Sequence, residues 1–277
     1  MWHPINPVHL DLHLHTTCSD GARAPEAVVV LARKAGLHAI AVTDHDTTAG
    51  VAAARRAGAA EGVTIIPGIE LSCGFDDVEL HLLGYGIDPD HAGLRALTDR
   101  RAVLRRERVG LMVDRLRALG VTIAVSDVRV PEANVSVGRP HVAEALVRLG
   151  VVRSIQEAFT RFLSDRGPAA VPSRGPDVAD GIAAVAAAGG VSVWAHPALE
   201  DTVHFARLRT LGLDGIEALR PSLTPIASSA LEVAAREAGL LVSGGSDWHG
   251  GPPPLGTFYV TDRHVSALLD RLGLRPN

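Results

Sequence analysis

The stretch from Val8 to Gly21, VHLDLHLHTTCSDG, decides how the rest of this 277-residue chain is read. Val8 to Leu14 alternates as a β-strand does, and residues two apart in an extended strand share a face. One face carries Val8, Leu10, Leu12 and Leu14, and the other carries His9, Asp11, His13 and His15. An apolar strand does not normally commit its second face to ionisable groups. His13 and His15 can instead offer two imidazole nitrogens to one metal ion, although a His-x-His pair taken alone also fits two ordinary hydrogen-bonded histidines.

Outward from this strand the same residue types return in TDHD, PGIE, HLLGYG, WAHP and SDWHG, each at or just past the end of an apolar, β-rich run. Those runs lie at 8–14, 37–42, 63–69, 78–84, 190–195, 213–219, 240–244 and 255–260, with Ala/Leu/Arg segments of helical period between many of them. The alternation predicts an α/β barrel, whose rim would gather residues at strand ends. The candidate metal ligands are His13, His15, Asp20, Asp44, His45, Glu70, His81, His196, Asp247 and His249. They outnumber what one ion can use. Imidazoles and carboxylates without thiolates suit Mn, Fe or Zn better than a Ca or Mg cage. Several ions would compensate carboxylates that otherwise repel one another; two ions, with the surplus residues as acid, base or support, is the other arrangement these residues allow.

Pro25 and Glu26 predict the start of a first helix that Gly36 ends, and Thr47 or Thr48 is expected to cap a second that ends near Gly62. After Asp88 the pattern breaks. The run from Ala92 to Pro168 is helix-dominated, with ALTDRRAVLRRERVGLMVDRLRALG as its clearest amphipathic stretch and short helices after Pro140 and Ser154. This predicts a catalytic barrel over 1–91 and 169–277 and an inserted helical lobe over 92–168. The lobe's arginines read mainly as helix-surface charge. Arg139 and His141 in SVGRPHVAEAL, with Arg161 and Arg166 in FTRFLSDRGPAAVP, sit beside turn or helix-start signals and are the lobe residues expected to face the rim.

A net charge of -4 argues against capture of duplex nucleic acid by a basic face, and leaves room for a small phosphorylated substrate or a nucleic-acid end. Cys18 and Cys73 are too few for a disulfide framework or zinc ribbon, and no signal peptide or membrane-spanning run is read, so a reducing cytoplasm is the expected location. Gly84-Tyr85-Gly86 and Gly244-Gly245 lack the spacings of a P-loop or dinucleotide fold, and no nucleotide cofactor is expected. His3, His38, His91, His204 and His264 have no companion ligand and read as surface or locally hydrogen-bonded residues.

Taken in order, HLHTTCSDG, TDHD, PGIE, HLLGYG, WAHP and SDWHG make the chain resemble the PHP (polymerase and histidinol phosphatase) domain phosphoesterases, from about His9 to Tyr259. The segment with VGRPH is similar to the stand-alone branch that removes the 3′-phosphate of nucleoside 3′,5′-bisphosphates and, in some members, trims short RNA from its 5′ end. The resemblance implies a distorted (β/α)7 barrel holding a trinuclear centre. By that likeness one ion takes His13, His15, Glu70 and Asp247; a second shares Glu70 and adds His81 and His196; a third uses Asp20, His45 and His249. Mn is the expected metal, with Fe or Zn as alternatives.

The expected activity is hydrolysis of the 3′-phosphate of a nucleoside 3′,5′-bisphosphate, for example to AMP, with a metal-bridging hydroxide as nucleophile. Arg139 with Arg166 or Arg161 would hold the second phosphate, and His141 or His196 would pass a proton to the leaving group. The alternatives are histidinol-phosphate phosphatase and 5′→3′ exoribonuclease on short single-stranded RNA, with a non-enzymatic metal-binding module least favoured. Phe162 stands where a tyrosine is expected in this branch, and EALRPSLTP lacks the aromatic and histidine residues common there. Both departures bear on substrate choice.

Overall fold

A computed structural model describes residues 7–76, 78–129, 136–173 and 175–274. Strand β1 (His9–Leu14) leads through α1 (Pro25–Lys34), β2 (Ala39–Val42) and α2 (Val51–Glu61) to two long strands, β3 (Thr64–Phe75) and β4 (Val78–Tyr85). Helices α3 (Ala92–Ala118), α4 (Arg139–Arg148) and α5 (Ile155–Ala158), with a π-helical turn over Phe159–Leu163, form the lobe. The chain then returns through α6 (Val178–Ala187), β5 (Val191–Trp194), α7 (Phe205–Thr210), β6 (Gly215–Leu219), α8 (Pro225–Glu237), β7 (Leu241–Gly244), β8 (Val260–Thr261) and α9 (Ser266–Arg271).

The eight strands form one sheet in the order β7-β6-β5-β4-β3-β2-β1-β8. Neighbours pair in parallel from β1 to β3 and from β5 to β7, whereas β4 is antiparallel to both β3 and β5, and β8 is antiparallel to β1. The sheet curls until the segment after β7 meets β1, where Leu14 bridges Trp248 and the His15 N–H donates to the Trp248 carbonyl at 3.0 Å. Gly245 permits this approach, since a Cβ there would stand 2.4 Å from the His13 Cβ. The result is the distorted (β/α) barrel with an inserted helical lobe that the sequence predicts, nearly closed and mixed in strand direction.

Two predicted features change. Strand β3 runs on to Phe75 because it forms a hairpin ladder with β4, from Gly68 opposite Tyr85 to Phe75 opposite Val78. Glu70 and His81 therefore lie within strands, not at their ends. Helix α2 is capped by Gly50, not by Thr47 or Thr48. The start of α2 presses on the buried Asp44, and a Cβ at Gly50 would meet an Asp44 carboxylate oxygen at 2.7 Å.

Apolar side chains fill the barrel and its helical layer: Leu10, Leu12, Leu83 and Val193 pack inside, and Ile69, Leu71 and Leu82 face α6 residues Ile182 and Val185. The lobe has its own core of Val109, Met112, Leu116, Val142, Leu146 and Phe162, which also takes in Ala169 and Val171. Leu94, in the first turn of α3, belongs to the barrel core. One helix thus spans both cores and holds the lobe over the sheet. Trp194 packs edge-on against Phe205 at 5.8 Å, and Trp248 donates its indole N–H to the Gly251 and Pro253 carbonyls, so both serve barrel packing. Among the described residues, no helix is long and apolar enough to cross a membrane.

Candidate metal centre

Glu70 stands at the middle of the candidate site. It projects from the β3 face that also carries Ser72, and the β4 partner of Ser72 is His81. Five imidazoles converge on this single buried carboxylate. Its Oε2 lies 3.2 Å from His13 Nε2, 3.1 Å from His15 Nε2 and 3.1 Å from His45 Nδ1; its Oε1 lies 2.9 Å from His81 Nδ1 and 3.3 Å from His196 Nε2. Asp247 Oδ1 faces His13 and His15 at 3.3 and 3.2 Å. Asp20 takes the opposite end, with His15 at 3.7 Å, His45 at 3.8 Å and His249 at 3.4 Å.

Three groups have ligand atoms that all lie within 4.8 Å of one another: His13, His15, Glu70 and Asp247; His15, Asp20, His45 and His249; and His45, Glu70 and His81. His196 borders the third, its Nε2 being 3.2 Å from His81 Nδ1. All nine predicted ligands therefore gather in one place. The grouping differs from the division implied by the resemblance, because His15 enters two groups and His45 joins Glu70 as well as Asp20.

The donor set fits divalent transition-metal ions. His15 Nε2, Asp20 Oδ1 and His45 Nδ1 are buried without a well-directed hydrogen bond, even where Glu70 lies 3.1 Å away. Buried polar atoms are rarely left so. Nitrogen and oxygen ligands about 2.0–2.2 Å from a shared ion stand roughly 3.0–3.5 Å from each other, the spacing seen around Glu70. The clusters have room and donors for two or three ions, all nitrogen and oxygen.

The charges agree. Burial opposes ionisation throughout, yet Asp247, Glu70 and Asp20 outweigh it at His15, whose pKa rises to about 10. Glu70 and Glu79 do the same at His81, also to about 10. Despite burial, Glu70 and Asp20 are held well below the usual carboxylate range by the surrounding imidazoles. Burial pushes His45 down to about 3, with His15 and His81 adding their like charge against Glu70 and Asp20. Without a cation the site balances its carboxylates by protonating imidazoles, and a bound cation takes that place.

Other residues hold this rim in shape. His196 and Asp247 adopt left-handed backbone at φ 40° and 55°, which non-glycine residues keep only when their surroundings enforce it. Glu217 on β6, fully buried, supplies one such constraint: Oε2 accepts the His196 N–H at 2.9 Å while Oε1 lies 3.0 Å from His13 Nδ1. Asp44, offered as a ligand by the sequence, instead accepts from the Thr16 N–H, the Thr16 hydroxyl and the Ser19 hydroxyl, each at 2.7 Å, and so folds the loop that presents Asp20.

Toward the lobe, a cleft of about 640 Å³ is lined on one side by Glu79, His81 and His196 and on the other by Arg108, Arg139 and Asp165. Arg139, the first residue of α4, is paired with Asp165 and also reaches the Leu163 carbonyl. His141, in the same turn, is buried, its Nδ1 accepts from the Gly138 N–H at 3.2 Å, and burial lowers its pKa. Arg161 pairs with Glu157 on the lobe's outer surface and lies over the Phe162 ring, and Arg166 is exposed; neither lines the cleft.

The lobe's arginines are not mainly surface charge where α3 crosses the barrel. Arg101 and Arg105 are buried, both holding the Asp46 carboxylate, which sits beside His45 and also accepts the Ser72 N–H. Arg101, Arg105 and Arg108 repeat at i, i+4 and i+7, one face of a helix, and that spacing was the available signal. The signal for Glu217 was a lone acid inside the apolar strand GIEAL.

A family model described as the PHP domain matches residues 11–127. The chain is 32% identical to a 5′-3′ exoribonuclease from Haemophilus influenzae, over 86% of this chain and 89% of that protein. It is 31% identical to a 5′-3′ exoribonuclease from Escherichia coli, over 86% and 84%, and 31% identical to a 3′,5′-nucleoside bisphosphate phosphatase from Chromobacterium violaceum, over 87% of each. Among solved structures, a Bifidobacterium adolescentis protein assigned as a metal-dependent phosphoesterase superposes with a TM-score of 0.86 at 35% identity, covering 95% of this chain and 96% of that one. Likeness over nearly the whole length, joined to three His/Asp/Glu groups around one rim, shows that the chain belongs to the PHP-domain family of metal-dependent phosphoesterases.

Proposed function

We propose that this phosphoesterase trims short single-stranded RNA in the 5′→3′ direction. The observation that carries the reading is a single cleft that joins His81 and His196 of the ligand cluster to Arg108 and Arg139 of the lobe. A scissile phosphate on the cluster leaves a second phosphate of the same strand within reach of two guanidinium groups, whose forked donors suit phosphate oxygens. The exoribonuclease names of the Haemophilus influenzae and Escherichia coli relatives support RNA ahead of the free bisphosphate that the sequence reading put first. Hydrolysis of nucleoside 3′,5′-bisphosphates is the second reading, favoured by the Chromobacterium violaceum relative and by the same two-point grip.

In this reading His13, His15, Asp20, His45, Glu70, His81, His196, Asp247 and His249 hold two or three ions, Mn first and Fe or Zn next. Such ions supply a water nucleophile at neutral pH and neutralise phosphoryl charge. Arg139 binds and orients the second phosphate after giving up Asp165. His141, kept neutral by burial, receives or passes a proton near the Asp20 end. Residues 1–91 with 169–277 carry the chemistry and 92–168 grip substrate. Cys18 and Cys73 are free thiols, in keeping with a reducing cytoplasm.

The test is product analysis with Mn-reconstituted enzyme given a 5′-phosphorylated RNA of a few nucleotides, adenosine 3′,5′-bisphosphate and histidinol phosphate. Successive 5′-mononucleotides from the RNA are expected. Turnover of the bisphosphate alone would move the second reading to first place, and turnover of histidinol phosphate alone would overturn both.

A further inference from the structure

Beside the active-site cleft runs a second groove, of about 330 Å³, between α3 and the segment Val171–Ser173. The two share Arg108, Val171, Pro172 and Ser173 as a common wall. Along the second groove Leu104 and Leu111 provide apolar surface, with Leu111 54% exposed, and Arg115 stands beyond them. Arg108 and Arg115 are two helical turns apart, roughly 10 Å along one face of α3. Both are anchored: Arg108 donates Nε–H to the Val171 carbonyl at 2.7 Å, and Arg115 donates to the Ala170 carbonyl. One donor of each fork fixes its place, and a guanidinium carries five.

The helix as a whole is unlike the protein it belongs to. It has eight arginines against Asp99, Glu107 and Asp114, within a chain of net charge -4. Arg101 and Arg105 are committed to Asp46, so the charge presented along the groove is that of Arg108 and Arg115, with Glu107 as an acid on its lining. Burial, and the like charges of Arg139, Arg105 and Arg101, lower the Arg108 pKa to about 10 despite Glu79. A cation so placed gains from an anion.

We infer that the α3 groove bearing Arg108, Leu111 and Arg115 is a downstream subsite for single-stranded RNA, taking phosphates on the two arginines and a base on Leu111. The inference rests on the RNA reading above and extends it beyond the first nucleotides. The shared wall sets the groove directly beside the cleft, within reach of a strand that leaves it over Arg108, and alternating cationic and apolar surface matches a chain that alternates phosphate and base. A free nucleoside bisphosphate, with its second phosphate at Arg139 and Arg108, has none left to place on Arg115.

The experiment compares wild type with Arg115→Glu and the milder Arg115→Gln on 5′-phosphorylated RNA of two and of eight nucleotides, at two salt concentrations. For the octamer, KM is expected to rise about tenfold in Arg115→Glu and about threefold in Arg115→Gln, with a shallower salt dependence. For the dinucleotide, kcat and KM are expected to stay within twofold, which also reports that the variants are folded. Equal losses on both lengths, or no loss on either, overturn the subsite while leaving exoribonuclease action in place. Failure of the wild type to cleave RNA of any length overturns that action and the subsite together.

Discussion

Glu217 is a single side chain that ties a ligand candidate on β1 to another just past the end of β5. With His13 Nε2 turned to Glu70 and Asp247, Nδ1 is left to donate to Glu217, which makes the imidazole a better ligand. The other oxygen holds the left-handed His196 backbone. Glu217→Gln keeps the shape and removes the charge, so metal affinity is expected to fall about 10- to 100-fold, read as Mn content after equilibration with a metal buffer. Unchanged affinity would assign Glu217 to packing alone. Asp165 makes the opposite case: its pairing with Arg139 is largely exposed and contributes little to stability, but it competes with a substrate phosphate. Asp165→Ala is expected to lower KM for 5′-phosphorylated RNA roughly two- to fivefold, and Arg139→Ala to raise it about tenfold or more; steady-state kinetics of the two variants check both.

At the level of elements, α3 is what fastens the lobe to the barrel. Its first turn buries Leu94 in the barrel core, its middle places Arg101 and Arg105 on Asp46, and its last turns build the lobe core. Asp46 itself is fully buried, and the arginines hold its carboxyl below the usual range despite burial. Removing one partner of a buried ionic network leaves the others uncompensated, at a cost of about 3–5 kcal/mol. Asp46→Ala should therefore destabilise by that amount in urea unfolding, and a loss below about 1 kcal/mol would mean that solvent reaches the two guanidinium groups. The β3–β4 hairpin has a comparable role for the site, since antiparallel pairing sets Glu70 and His81 diagonally across two strands at 2.9 Å.

For the whole molecule the site is a folding determinant as well as a catalytic one. In the ion-free protein, His15 and His81 have folded pKa values of about 10 against an ordinary 6.5, so their stabilisation is complete below pH 6.5 and is lost as pH rises toward 10. Metal binding prefers neutral imidazoles and strengthens over the same window. The melting temperature of chelator-treated protein is thus expected to fall from pH 6.5 to 9, while the gain on adding Mn grows with pH. A gain independent of pH would show that the histidines do not compete with protons for the ion.

By itself the sequence determined the alternation of strands and helices, the inserted helical segment and the residues that meet at the rim, because these are local: period-two and period-3.6 patterns and short motifs at turns record which face each residue takes. It was silent on what depends on pairing across the sheet. The β3–β4 hairpin, the sharing of His15 and His45 between groups, the Glu217 link from β6 to β1 and β5, and the burial of Arg101 and Arg105 on Asp46 join residues far apart in the chain. An arginine on a helix reads the same whether that face meets water or a buried carboxylate. Only packing α3 across the barrel decided between them, since desolvation and a fixed counter-charge exist only once the two elements touch.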